Sequence, residues 1–210
     1  MATEPINYPA RLTIDYPEHL DRLTSFFRII TIIPMMVILG LLLGGSPDHE
    51  LEREGWEVVY HGGGLVFFPT ILMILFRQKY PRWWFDWNLA LTRFCYRVFG
   101  YLILLRDEYP STDEEQSYHI HIAYPDVMNN LHRGMPLVKW FLVLPHIIVL
   151  AFLYVAVVIC TIIAWFSILF TGRYPLGMYE FVVGVLRWSL RVSAYAFLLT
   201  TDEYPPFSLS

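Results

Sequence analysis

Trp140-Phe-Leu-Val-Leu-Pro-His-Ile-Ile-Val-Leu-Ala-Phe-Leu-Tyr-Val-Ala-Val-Val-Ile-Cys-Thr-Ile-Ile-Ala-Trp-Phe-Ser-Ile-Leu-Phe170 decides the class of this protein. The stretch is 31 residues long and holds no Asp, Glu, Lys or Arg. A membrane span needs about 20 such residues, and a buried soluble helix rarely runs so long. As one helix it would measure about 46 Å at 1.5 Å per residue, against a hydrocarbon core of about 30 Å. The excess predicts a tight helical hairpin with its turn near residues 154–158. Outward from this stretch the whole chain is apolar. Of its 210 residues 56% are hydrophobic, 17% aromatic and 16% charged, where a soluble domain averages about 45–50% apolar and about 25% charged. A net charge of −4 leaves no basic excess for a phosphate backbone, so no nucleic-acid partner is expected.

The first half offers the same apolar material in two pieces, Ile29–Gly45 and Gly62–Phe76, separated by an acidic loop at 46–61 that contains Asp48, Glu50, Glu52, Glu54 and Glu57. Glycines and Pro47 around the loop are turn signals, so this too predicts a hairpin, with an enlarged tip. The first 24 residues carry four acids and no apolar segment, so no cleaved leader is expected.

An internal duplication organises the chain. Tyr-Pro occurs seven times, starting at Tyr8, Tyr16, Tyr80, Tyr109, Tyr124, Tyr174 and Tyr204. Leu12-Thr-Ile-Asp-Tyr-Pro17 aligns with Ile120-His-Ile-Ala-Tyr-Pro125. The run 27–34, ending in Pro34, aligns with 138–145, ending in Pro145. Phe76-Arg-Gln-Lys-Tyr-Pro81 aligns with Phe170-Thr-Gly-Arg-Tyr-Pro175, and Asp107-Glu-Tyr-Pro110 with Asp202-Glu-Tyr-Pro205. Two units follow, 1–112 and 113–210. Each reads as a short alternating arm, an apolar hairpin, a Tyr-Pro turn, a 20–25-residue amphipathic helix and an acidic ending. Proline holds the preceding residue extended, so each Tyr-Pro marks a helix boundary. Tyr and Trp favour the headgroup level. Arg22 and Arg28 align with Arg133 and Lys139, and Lys79 with Arg173. Under the positive-inside rule these face the cytoplasm. The units are therefore parallel, each crossing an even number of times or not at all, with the termini cytoplasmic.

The second helix of each unit carries a stripe: Asp86, Ala90, Arg93, Arg97 and Gly100 in the first, Glu180, Gly184, Arg187, Arg191 and Ala194 in the second. These fall on one helix face. Either the helices lie in the membrane interface with the stripe toward water, or the two stripes face each other. In the second case Asp86 would meet Arg187 or Arg191 and Glu180 would meet Arg93 or Arg97. The small residues would let the helices approach, and the surplus positive charge could hold an anionic lipid headgroup.

Other chemistry is sparse. His119 and His121 would share a strand face, but no further Cys or carboxylate completes a metal set. His146, inside the apolar run, reads as a hydrogen-bonded packing residue ahead of a haem ligand. Cys95 and Cys160 lie in apolar stretches as packing thiols. No phosphate loop, dinucleotide fingerprint, nucleophile elbow or zinc-protease motif is present in the sequence. No catalytic residue, metal or cofactor is therefore expected.

The stretches 144–150, Ile163-Ala-Trp-Phe-Ser-Ile-Leu-Phe-Thr-Gly-Arg-Tyr-Pro175, Val185-Leu-Arg-Trp-Ser-Leu-Arg-Val-Ser-Ala-Tyr195 and Asp202-Glu-Tyr-Pro-Pro-Phe207 resemble a bacterial membrane family described as domain of unknown function 4389. The resemblance is strong in the second unit and weaker in the first. It implies a bacterial integral membrane protein and no activity. The expectation is an all-α integral membrane protein of the inner membrane, multi-pass, with short extended or β arms and two tandem parallel pseudo-repeats. It would be a non-enzymatic accessory or scaffold subunit of a larger complex, or a membrane-shaping element, with lipids and other membrane subunits or copies of itself as partners. The alternative is a lipid or small-solute carrier using the arginines between the repeats.

Overall fold

The computed structural model describes residues 8–42, 69–112, 114, 116–128 and 131–210. The acidic loop 46–61 and the tip of the expected first hairpin lie outside them. In chain order the elements are β1 (Ala10–Ile14), α1 (Arg22–Thr31), α2 (Ile33–Leu42), a π-helical turn (Met73–Arg77), α3 (Arg82–Leu102), β2 (Tyr118–Ile122), α4 (Met135–Thr171) and α5 (Leu176–Ala196).

The two alternating arms find each other. β1 and β2 pair antiparallel, with Leu12 opposite Ile120, Arg11 opposite His121 and Thr13 opposite His119. Period-two patterning sends Leu12, Ile14, Tyr118, Ile120 and Ile122 inward, while Arg11, Thr13, His119 and His121 face out. A two-stranded ribbon is marginal alone in water. Here its apolar face is covered by α5, against which β1 packs.

α5 is buried on opposite faces. Val182, Val183, Val185, Leu186, Leu190, Val192 and Ala194 are all nearly inaccessible. Such a helix lies in a core, which corrects the expectation that it would lie in a membrane interface: one face meets α4 and another meets the ribbon. α3 occupies the corresponding place in the first unit, between α2 and β2. Phe94, Val98 and Tyr101 of α3 pack on Ile32, Met35 and Leu39, while Trp83 and Trp87 remain exposed. Three layers result: the ribbon, then α3 and α5, then α1, α2 and α4.

α4 overturns the hairpin expected in the second unit. It runs unbroken for 37 residues, about 55 Å, through Pro145 and through the expected turn at 154–158. No Gly, Pro or capping residue between Ala151 and Ser167 could end it, and a seam of Val143, His146, Leu150, Val157, Ala164 and Ile168 is buried along it. Pro136 opens it and Gly172, at φ 72°, closes it. Its opposite face is bare: Phe141, Phe152 and Phe170 are about three-quarters exposed. Among the described residues α4 is the one continuous helix long and apolar enough to cross a membrane. The core helix of a soluble protein would be mostly buried, yet only 17% of the most apolar window of α4 is. Arg133 precedes α4 and Arg173 follows it, so the hairpin that would return both to one end is absent.

In the first unit, α1 and α2 meet at a 42° bend two residues before Pro34. The Asp21 side chain caps α1 by accepting from the Leu23 N–H. α1 docks on α4, with Phe26 stacked on Trp165.

Candidate functional site

Each Asp-Glu-Tyr-Pro ending forms a clamp. Arg28 donates to Asp107 and is 2% exposed; Lys139, wholly buried, forms an ion pair with Asp202 at 2.7 Å and donates to the Thr201 carbonyl. These cations occupy aligned positions, as do the acids. The second carboxylate oxygen of Asp107 accepts the Asp21 backbone N–H, and that of Asp202 the His132 N–H, again at aligned positions. The Arg28 guanidinium lies 4.4 Å from the Tyr101 ring centroid, and the Lys139 ammonium 5.0 Å from that of Tyr195. The tyrosine of each motif then reaches back to the helix ahead of its proline. Tyr109 donates to the Thr31 carbonyl and Tyr204 to the Leu142 carbonyl. A buried charge requires a partner and hydrogen bonds, and the motif supplies both.

Other aligned bonds run crosswise. Tyr16 of the first unit donates to the Tyr174 carbonyl, while Tyr124 of the second donates to the Tyr80 carbonyl. Arg93 on α3 donates to the Ile120 carbonyl on β2, and Arg187 on α5 to the Leu12 carbonyl on β1. Leu12 and Ile120 are themselves aligned in sequence and paired in the ribbon. Six of the seven Tyr-Pro tyrosines donate to backbone carbonyls. They are bonded joints rather than free headgroup-level corners.

The stripes do not face each other as ion pairs. Asp86 and Glu180 are exposed and enter none of the ion pairs among the described residues. The arginines turn to backbone oxygens instead. Arg97, 7% exposed, donates to the Ser111 carbonyl at 2.8 Å. Arg191, 4% exposed, donates to Ser208 and Ser210, and burial lowers its pKa. The small residues serve other neighbours. A Cβ on Gly100 would run into the Tyr118 hydroxyl oxygen, and one on Gly184 would stand 2.8 Å from the Leu209 carbonyl oxygen. Contrary to the facing-stripe expectation, Gly100 admits Tyr118 and Gly184 admits Leu209 rather than the opposite helix.

The structure does gather basic side chains that the sequence kept apart. A cleft of about 860 Å³ is lined by residues of both strands and of α3. Its lining includes Arg11 and Thr13 from β1, His119 and His121 from β2, Arg93 and Arg97 from α3, and also Tyr8 and Glu203. Arg93 and Arg97 were visible as a stripe and the histidines as a strand pair. The signal that could have joined them was the alignment of arm with arm, since pairing the arms puts Arg11 opposite His121.

His146 is a packing residue: it accepts from the Trp188 indole at 3.1 Å and stacks on Phe207 at 3.9 Å. Cys95 and Cys160 are free thiols, and burial pushes the Cys95 thiol up to about 11. At the unit junction, partial burial opposes ionisation of Glu108, yet hydrogen bonds from Ser117 and Arg106 hold its pKa below the usual value. Among the described residues no three His, Cys, Asp or Glu side chains come together to hold a metal. The two clamps join cations and acids that align between the halves of the sequence, Arg28 with Lys139 and Asp107 with Asp202, a pairing the stripe and arm patterns do not signal.

The fold is thus mostly helical, with one short ribbon and one helix of membrane-crossing length. Residues 135–208, which hold α4, α5 and the second clamp's acid, match the family model described as Domain of unknown function (DUF4389). The match lies within the second unit, where the resemblance is strongest. No curated protein and no solved structure matches the chain.

Proposed function

We propose that this chain is a non-enzymatic membrane scaffold of a bacterial inner membrane, built from two related units and seated in one leaflet. The observation that carries the reading is the bare face of α4. Together with exposed Phe26, Phe27, Ile29, Ile30, Val37 and Leu41 on α1 and α2, it forms an apolar layer far larger than water-facing proteins tolerate. The ribbon's charged face lies on the opposite side of the middle layer. A slab apolar on one side and polar on the other suits a helix layer lying in the plane of the membrane. α4 then needs no hairpin, and Arg133 and Arg173 at its two ends share one aqueous side, as the positive-inside rule asks. A multi-pass arrangement would instead have α4 cross at about 50° to fit its uncharged 31 residues into the hydrocarbon, steeper than the usual tilt, and would carry the ribbon's arginine and histidines toward lipid. The matched clamps and the crosswise bonds support the reading of two related units. A wedge of this shape bends a leaflet or seats a larger assembly, with other membrane subunits or a second copy as partners.

The test is single-cysteine labelling in oriented vesicles. Arg133→Cys and Arg173→Cys are expected to label from the same face, together with Ser111→Cys and Ser210→Cys, while Phe152→Cys stays shielded. Labelling of Arg133→Cys and Arg173→Cys from opposite faces would establish a transverse α4 and overturn the in-plane reading.

A further inference from the structure

We propose that a second cleft, at the start of α3, docks the headgroup of an anionic phospholipid. Its volume is about 570 Å³, and its lining includes Gln78, Lys79, Arg82, Tyr124, Asp126 and Met128. Four cations gather there. Lys79 and Arg82 stand in the lining, Arg77 adjoins Gln78 in the chain, and Arg133 of the second unit donates to the Gln78 side chain at 2.6 Å. Arg77 and Lys79 are exposed, and their side chains enter no ion pair among the described residues. The partners of the other two are neutral: the Arg82 guanidinium lies 5.5 Å from the Tyr124 ring centroid, and Arg133 meets an amide oxygen. A neutral partner orients a guanidinium without cancelling its charge. Asp126 is the acid in the lining, and Asp86 lies one turn along α3 from Arg82. Four cations therefore stand against two acids, and a phosphate oxygen among them relieves their mutual repulsion.

The aligned place in the second unit supplies the contrast. There Arg173 stands for Lys79, Glu18 for Asp126, and Arg22, which donates to the Phe170 carbonyl, for Arg133. Thr171 and Leu176 replace Arg77 and Arg82, so the first unit carries twice the cations. Their surroundings point to a lipid. Phe76 and Met128 are three-quarters exposed, and Trp83, next to Arg82, is more than half exposed. A soluble phosphate gains nothing from apolar neighbours. A phospholipid offers its charge to the cations and its glycerol and acyl carbons to the exposed apolar side chains, and tryptophan favours the headgroup level. Arg133 precedes α4, which puts the cluster at one end of the apolar helix. The inference rests on the chain being seated in a membrane, and it holds whether α4 lies in the membrane plane or crosses it.

The test reconstitutes the full chain into phosphatidylcholine vesicles with and without phosphatidylglycerol. Flotation reports seating, and mass spectrometry counts the lipid that the chain retains on re-extraction into mild detergent. Retained phosphatidylglycerol is expected to exceed its share of the bilayer about tenfold. The excess should vanish when Lys79→Gln and Arg82→Gln are combined, and in Met128→Asp, which sets a carboxylate in the cleft. These three positions are exposed, so the variants keep the fold. Arg173→Gln, in the second unit, should change the excess by less than about twofold. A chain that floats without enriching phosphatidylglycerol overturns the site, as does enrichment that survives the cleft substitutions. Equal loss in Arg173→Gln would mean diffuse attraction and would overturn it too. A chain that floats with neither vesicle overturns the membrane seating on which the site rests.

Discussion

α4 passes straight through Pro145, whereas the chain at the aligned Pro34 turns by 42° between α1 and α2. Both prolines remove the same helical hydrogen bond, both follow a clamped cation by six residues, and both have a tyrosine donating to the carbonyl three residues before them. The difference lies beyond the proline. After Pro145, His146 holds the Trp188 indole, and Leu150 and Val157 are buried in the seam that continues along the helix. After Pro34, Met35 stands where His146 does, and no residue of α2 is fully buried. Before the bend, the Thr31 hydroxyl bonds back to the Arg28 carbonyl and to the Tyr101 hydroxyl; leucine fills the matching place in α4. A helix proline is tolerated when the helix is held on both of its sides and becomes a bend when it is held on one.

The largest effect that could break this comparison lies in the clamps. Asp202→Ala leaves Lys139 buried without its carboxylate and should cost about 3–5 kcal/mol. Asp107→Ala should cost less, because Asp107 is the more exposed acid, while both cations keep a backbone carbonyl, Arg28 that of Tyr101 and Lys139 that of Thr201. Thermal unfolding in detergent measures both, and equal losses would mean the clamps are interchangeable. Next comes His146→Met, which gives α4 the residue of the bent unit. A loss of about 1–3 kcal/mol is expected from the orphaned indole, with faster amide exchange around residues 143–150. Unchanged exchange there would show that His146 does not hold the helix straight. Tyr109→Phe and Tyr204→Phe should each cost about 0.5–1.5 kcal/mol and add in the double variant, since the two clamps are separate; strong coupling would point to one network. Smallest are Asp86→Ala and Glu180→Ala. Both acids are exposed, so changes within about 0.5 kcal/mol are expected, and a large coupled loss would revive the facing-stripe arrangement.

Much of this was legible in the residues. Alternation at 12–16 and 120–124 marked the arms, and Tyr80-Pro81 and Tyr174-Pro175 marked the starts of α3 and α5. Their pairing into a ribbon was not visible, because no local period links strands more than a hundred residues apart. The straightness of α4 was misjudged from length alone. A helix longer than the hydrocarbon is thick needs a turn only if it must cross, and Ala151–Ser167 offers nothing to make one. The arginines share one face of each helix, but the partners they donate to are backbone oxygens, which any residue carries and no pattern reveals. The clamps were the readable part left unread: a cation and an acid preserved together in both units mark a pair.

The crosswise bonds set an order on synthesis. Tyr16 waits for the Tyr174 carbonyl, β1 waits for β2, and the Leu12 carbonyl waits for Arg187. When the ribosome has made the first unit, its arm has neither strand partner nor helix to lie on. Contacts so distant in sequence form late, so α1 and α2 are made well before the ribbon can close. A nascent chain halted between the units should therefore hold its first arm open to proteases, and release of the completed chain is the event that locks it.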